Sequence, residues 1–335
     1  MRHAGDWNMS KNELTGSESL LTRRSAMSGI ALGGAGLMTA GLGSRPALAR
    51  SEWTLDLDDA ADNCKALLKM QADISGADSF GGFGGNVWAW VPGEGNYHVF
   101  NTYGIGASHV EYMPDERAWR FYHREALLYL DPQTNEILDS WYNPFTDRRV
   151  EVLHIINDHV NRYYQLDGKF FSFPRPYEIH GDDLVFQVSF YRLEDNVMSR
   201  KEYPLHSQSD KYQTTELWGM HGRLGEIMDP DITSASCVTS WSRIAGWLPF
   251  MEMGNRPGQM VYHSHAYKMK DGPAELPDNI RKFFEKDYPE YFESPREWST
   301  DAERVSTWTY SKDIIDARRA AGLKAGETAF SWPKT

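Results

Sequence analysis

Cysteine is nearly absent: the 335 residues hold two, Cys64 and Cys237. Neither lies in a C-x-x-C pair or at metal-ligand spacing from histidine, which excludes zinc-finger and thioredoxin-type chemistry. The two thiols can pair in an oxidising compartment or stay buried as small apolar groups. Positive charge is scarce too, with 35 Lys and Arg against 47 Asp and Glu and a net charge of −12. No basic stripe offsets this balance, so nucleic acid and anionic lipid surfaces are not expected partners. Long apolar runs are missing. The weakly apolar stretch over residues 30–42 is shorter than the about 20 residues a spanning helix needs, so stable membrane insertion is not expected. G-x-S-x-G, a P-loop and H-E-x-x-H are all lacking, which leaves serine-hydrolase, nucleotide-hydrolase and zincin readings without support.

What the first 49 residues do hold is a tripartite leader. Arg23 and Arg24 precede the glycine-rich apolar run, and Ala47-Leu48-Ala49 follows it. A paired arginine, a short weak apolar core and an A-x-A site are the parts of a removed twin-arginine signal. The expectation is passage through the twin-arginine translocation machinery, cleavage after Ala49 and a mature chain in the periplasm. Ser44 and Arg45 close the run, which argues against a retained anchor, and a start at Met9 would leave the reading unchanged. The leader carries five basic and three acidic residues, so the mature chain keeps 30 against 44, a net of −14.

The mature chain opens with helical spacing at Ala60, Ala61, Cys64, Leu67 and Leu68, which puts Cys64 on the apolar face, with Asp56 or Asp58 as cap. Phe80-Gly81-Gly82-Phe83-Gly84-Gly85 lacks the order and flanks of a dinucleotide loop and reads as a flexible entry to the first strand. From 86 to 269 short segments rich in Trp, Tyr, Phe, Val and Ile alternate with turns. They suggest strands at 87–91, 97–102, 109–113, 119–130, 137–142, 150–156, 161–166, 184–193, 213–221, 237–245 and 259–269. Helices return at 279–286 and 312–321. Many strands with few helices between them argue for a mainly β fold, an antiparallel, calycin-like barrel of one domain over 50–335 with peripheral helices at both ends.

Three clusters carry candidate chemistry. On a strand over 150–156, His154 shares a face with Val152 and Ile156, and Asp158 follows at its end. An inward histidine with a nearby carboxylate can act as general base and orienter, or simply bond a backbone carbonyl. Trp241 and Arg243 share a face, and an inward arginine among aromatics suits a carboxylate or enolate, unless it stacks outside on Trp247. Glu125, on one face with His123, is a candidate acid or a partner for Arg243. His263 and His265 flank Ser264 in the third cluster, on one face with Val261 and Tyr267; H-x-H on a strand is the weak candidate for a divalent metal site. His154, Arg243 and His263 are expected to point into one cavity, with Trp241, Tyr262, His263 and Trp247 around a ligand.

Asn143-Pro144-Phe145-Thr146, the segment 150–161, Ser240-Trp241-Ser242-Arg243, the run 247–254, Arg256-Pro257-Gly258, Tyr262-His263 and Trp308-Thr309-Tyr310 resemble the domain of unknown function 1838 family. The likeness covers about 60–320. It implies an exported bacterial protein with fungal relatives, and no reaction.

Two functions remain open. One is an acid–base enzyme without an organic cofactor, a lyase, isomerase or hydrolase acting on a small aromatic or hydrophobic molecule. His154, Asp158, Glu125 and Arg243 would be its base, orienter, acid and anion clamp. The other is a periplasmic protein that binds such a molecule without turning it over.

Overall fold

The computed structural model describes residues 53–166, 173–299 and 307–322. The leader and its cleavage site lie outside them. Asp59 caps the first helix, α1 (Ala60–Gln71), by accepting from the N–H groups of Ala61 and Asp62. Its apolar side, Cys64, Leu67, Leu68 and Met70, is buried.

Three long strands follow as an antiparallel meander: β1 (Ser79–Val91), β2 (Gly95–Met113) and β3 (Ala118–Leu130). The glycine run expected as a flexible entry is thus part of β1, paired on both sides. β4 (Ser140–Asn143) and β5 (Arg148–Glu151) form a separate hairpin. β6 (Ile155–Asp158) and β7 (Arg162–Gln165) both pair with β3. Then come β8 (Tyr177–His180), β9 (Asp183–Asp195) and β10 (Lys211–Arg223), the short helix α2 (Leu224–Met228), β11 (Cys237–Ala245) and β12 (Gln259–Met269). Helices α3 (Asp278–Asp287) and α4 (Thr307–Ala320) end the described chain.

The fold is mainly β, and among the described residues its main sheet has ten strands, in the order β6-β3-β2-β1-β12-β11-β10-β9-β8, with β7 beside β6 on β3. Every strand pairing in it is antiparallel. Among the described residues the two ends of the sheet are not hydrogen-bonded to each other. The sheet is nevertheless strongly coiled. Laid flat, β3 and β10 would stand about 24 Å apart, five strand spacings of ~4.8 Å. Instead Arg162 of β7 interacts electrostatically with both Glu125 of β3 and Glu216 of β10. Phe121 of β3 and Tyr164 of β7 likewise share an apolar cluster with Phe186 of β9 and Met220 of β10.

Two helices span the gap between the ends. The Tyr164 hydroxyl donates to Gln71 Oε1 of α1 at 3.0 Å, and Gln71 Nε2 reaches the Met220 sulfur at 3.3 Å. On α4, Thr307 donates to Asn157 Oδ1 at 3.4 Å, and the Trp308 ring lies 4.7 Å from that of Tyr212 on β10. One apolar cluster packs α1 against the sheet, and a second gathers Phe100, Tyr129, Phe250, Tyr262 and Ile314 of α4. A third seats α3 through Ile280 and Phe284 against Ile105 and Leu128. Cys64 and Cys237 are free, buried thiols in the α1 cluster, and burial pushes the Cys64 thiol up to about 12. No helix among the described residues is long and apolar enough to cross a membrane.

Candidate functional site

Residues directly opposite in an antiparallel ladder share a sheet face. The register therefore carries one face across the sheet. One row runs Glu216, Arg243, Tyr262, Val87; the next runs Trp218, Trp241, Ser264, Gly85, Thr102, Tyr129. This face lines the inside of the coil, because the hydroxyls of Tyr129 on β3 and Tyr262 on β12, strands with two others between them, meet at 2.9 Å.

Arg243 is the centre of one polar group. Its Nη2 donates to the Tyr212 hydroxyl at 2.6 Å, its Nε stands 3.8 Å from Glu216 Oε1, and the guanidinium lies 5.6 Å from the centre of the Tyr262 ring. Trp241 Nε1 donates to the other Glu216 oxygen at 3.0 Å. Burial works against the charge on Arg243, but Tyr212, Glu216 and Tyr262 outweigh it and hold the guanidinium above its ordinary value. Burial pushes the Tyr262 phenol up to about 12, although Arg243 pulls it back. Tyr129 is raised by burial and by its neighbour Tyr262.

The second polar group is on β3. Glu125 stands 3.5 Å from His123 Nε2 and accepts from Asn157 Nδ2 at 3.3 Å. Gly106 makes room for the imidazole: a Cβ there would lie 2.8 Å from His123 Cε1. Arg162 links the two groups, since Glu125 and Glu216 both help to raise its pKa.

Of the residues singled out from the sequence, Glu125, Arg243, Trp241 and Tyr262 face this interior. The partner of Arg243 is Glu216, not Glu125. Trp247 is buried beside it in the second apolar cluster and donates Nε1 to the Arg256 carbonyl at 2.8 Å. Asp158 pairs with Arg124 at 3.1 Å on the opposite face of β3. His154 lies elsewhere as well. The strand expected over 150–156 breaks at 152–154, because β5 pairs with β4 while β6 pairs with β3, so alternation is lost at the histidine. His154 Nδ1 accepts from the Tyr129 backbone N–H, and the ring sits against Tyr129 and Phe283. Burial lowers its pKa to about 4.

His263 and His265 are exposed on the outer face, opposite Asn86 and Gly84. Alternation groups them correctly with Val261 and Tyr267, but that is the solvent side of β12. His154, Arg243 and His263 therefore do not share a cavity. The two outer imidazoles are 6.4 Å apart, and among the described residues no group of three His, Cys, Asp or Glu is placed to hold a metal.

Sequence reasoning missed Glu216, Tyr129, Tyr212 and Arg162. A signal for Glu216 existed in the alternation Thr214, Glu216, Trp218, Met220, which shares one face of β10. Nothing local marks Arg162, whose partners come from strands far apart in the sheet.

Comparison with curated proteins finds no match. A family described as "protein of unknown function (DUF1838)" matches residues 76–315, a span that holds the twelve strands of the described residues. The chain, with its coiled sheet and its inward Arg243 and Glu125, belongs to that family.

Proposed function

We propose that this is an exported, periplasmic enzyme that encloses a small aromatic molecule in its coiled sheet and moves a proton on it. In this reading α1 and α4 complete a barrel-like enclosure in place of strand pairing. The observation that carries it is the convergence of two polar groups on one interior, Glu125 with His123 and Arg243 with Glu216, joined through Arg162. Glu125 and His123 serve as the proton-transfer pair, with Asn157 fixing the carboxylate. Arg243 and Tyr212 hold the oxygen on which charge develops, and the Tyr262 hydroxyl stands beside it. Trp241 and Tyr262 form the walls. Proton transfer and charge stabilisation suffice for a lyase, isomerase or hydrolase, so the reading needs no organic cofactor.

Native mass spectrometry of the purified protein identifies the molecule it retains. With that molecule as substrate, Glu125→Gln is expected to lower turnover by about 10²-fold or more while binding persists. Full turnover by this variant would sink the reading. The aromatic wall and the Arg243 anchor equally suit a carrier, and binding without any turnover by the wild type selects it.

A further inference from the structure

We infer that the interior binds a planar aromatic anion, held through its oxygen atoms by Trp218, Arg243 and Ser264. The inference rests on the interior being the functional site and adds what kind of molecule enters it. Four buried polar atoms on the inner face lack a hydrogen-bond partner: Trp218 Nε1, Arg243 Nε, Ser264 Oγ and His123 Nδ1. Three are close in the register. Trp218 is opposite Trp241, Trp241 is opposite Ser264, and Arg243 lies two residues along from Trp241. Buried polar groups are normally satisfied, so a cluster of unsatisfied ones on one wall calls for a ligand or ordered water to complete it.

The chemistry of these atoms selects the ligand. An indole N–H and a guanidinium N–H only donate, whereas a serine hydroxyl can do either. The one carboxylate on this wall, Glu216, already accepts from Trp241 Nε1 and faces Arg243. The wall therefore has donors to spare and lacks acceptors, and what binds it must bring acceptor oxygens. The fixed charge of Arg243 makes an anionic oxygen the better fit. The rings set the shape: Trp218 and Trp241 are 5.7 Å apart between centres, as are Trp241 and Tyr262. Three adjacent aromatic rings on neighbouring strands suit a flat ring system.

The test uses 2-naphthoate and its uncharged shape match 2-naphthamide, titrated calorimetrically into the full chain. Naphthoate is expected to bind one to one and about tenfold or more tighter than the amide. Trp218→Phe, which keeps a ring and loses the N–H, should weaken naphthoate by about fivefold or more. Ser264→Ala, a smaller change, should weaken it in the same direction, and His263→Ala on the outer face should leave it unchanged. Equal affinity for acid and amide, no binding of naphthoate, or unaltered affinity in both Trp218→Phe and Ser264→Ala overturns the inference. Its failure is distinct from failure of the proposed activity. Anion binding in a protein that turns nothing over removes the enzyme and keeps the site; turnover of an uncharged molecule removes the anion and keeps the enzyme.

Discussion

The imidazole of His154 accepts a hydrogen bond from the backbone N–H of Tyr129 at 3.1 Å. On its other side the Tyr129 carbonyl accepts from the Leu138 N–H at 3.1 Å. β6 pairs with β3 only as far as Leu127, so a side chain takes over where the strand stops. A protonated Nδ1 cannot accept, and burial holds the His154 pKa at about 4. Below the unfolded pKa of about 6.5, the unfolded chain takes up a proton that the folded one refuses. Stability is therefore expected to fall as pH drops from about 6.5 to 4, by up to roughly 3 kcal/mol. Urea midpoints across that range should flatten in His154→Gln. An unchanged slope would remove this role.

Arg243 and Glu216 are each largely enclosed, with side-chain exposures of 11% and 16%. Removing either one leaves a buried charge without its partner. Glu216→Leu and Arg243→Met are each expected to cost about 3–5 kcal/mol. The double variant should cost clearly less than the sum, with a coupling above about 1 kcal/mol. Additive losses in denaturant unfolding would mean that the two charges do not depend on each other.

Gly106 sets the position of His123. Gly106→Ala places a methyl 2.8 Å from His123 Cε1, so the ring must shift from the place it holds beside Glu125. The expected cost is about 1–3 kcal/mol. The His123 Cε1 proton should shift in an NMR spectrum while the strand content by circular dichroism stays the same. A wild-type melting temperature together with an unshifted His123 signal would contradict the packing described.

The Arg23-Arg24 pair predicts the export route. Arg23→Lys combined with Arg24→Lys is expected to leave the precursor in the cytoplasm, as measured by fractionation. Wild-type amounts in the periplasm would exclude the twin-arginine route. Cleavage after Ala49 is checked by the mature protein's N-terminal residue, expected to be Arg50.

Long, regular strands were legible in the sequence. β11 and β12 have the bounds their alternation suggests, 237–245 and 259–269, and the inward placement of Glu125 and Arg243 follows from that regularity. Alternation separates two faces but does not say which is wet. On β12 both faces carry an aromatic ring, Tyr262 on one and Tyr267 on the other, so alternation alone does not tell that His263 lies on the wet side. On β10 the apolar marker misleads outright: Leu217 is 46% exposed while its neighbour Glu216 faces in. His154 was lost to a break in pairing that hydropathy does not register. The coiling, and with it the approach of Glu216 on β10 to Arg162 and Glu125 on β7 and β3, depends on strands far apart in the sheet, so no local pattern encodes it.

The pairing of β1 with β12 places the first and last strands of the described residues side by side in the middle of the sheet. During synthesis β1 can find β2 at once, but its other edge stays open until residues 259–269 have left the ribosome. Until then the meander offers an unpaired edge to any passing strand. Closure of such distant partners is slow, because the entropy of a long loop must be overcome before the contacts form. The nascent protein should therefore depend on chaperones late in translation, and refolding from denaturant should be slow and concentration-sensitive.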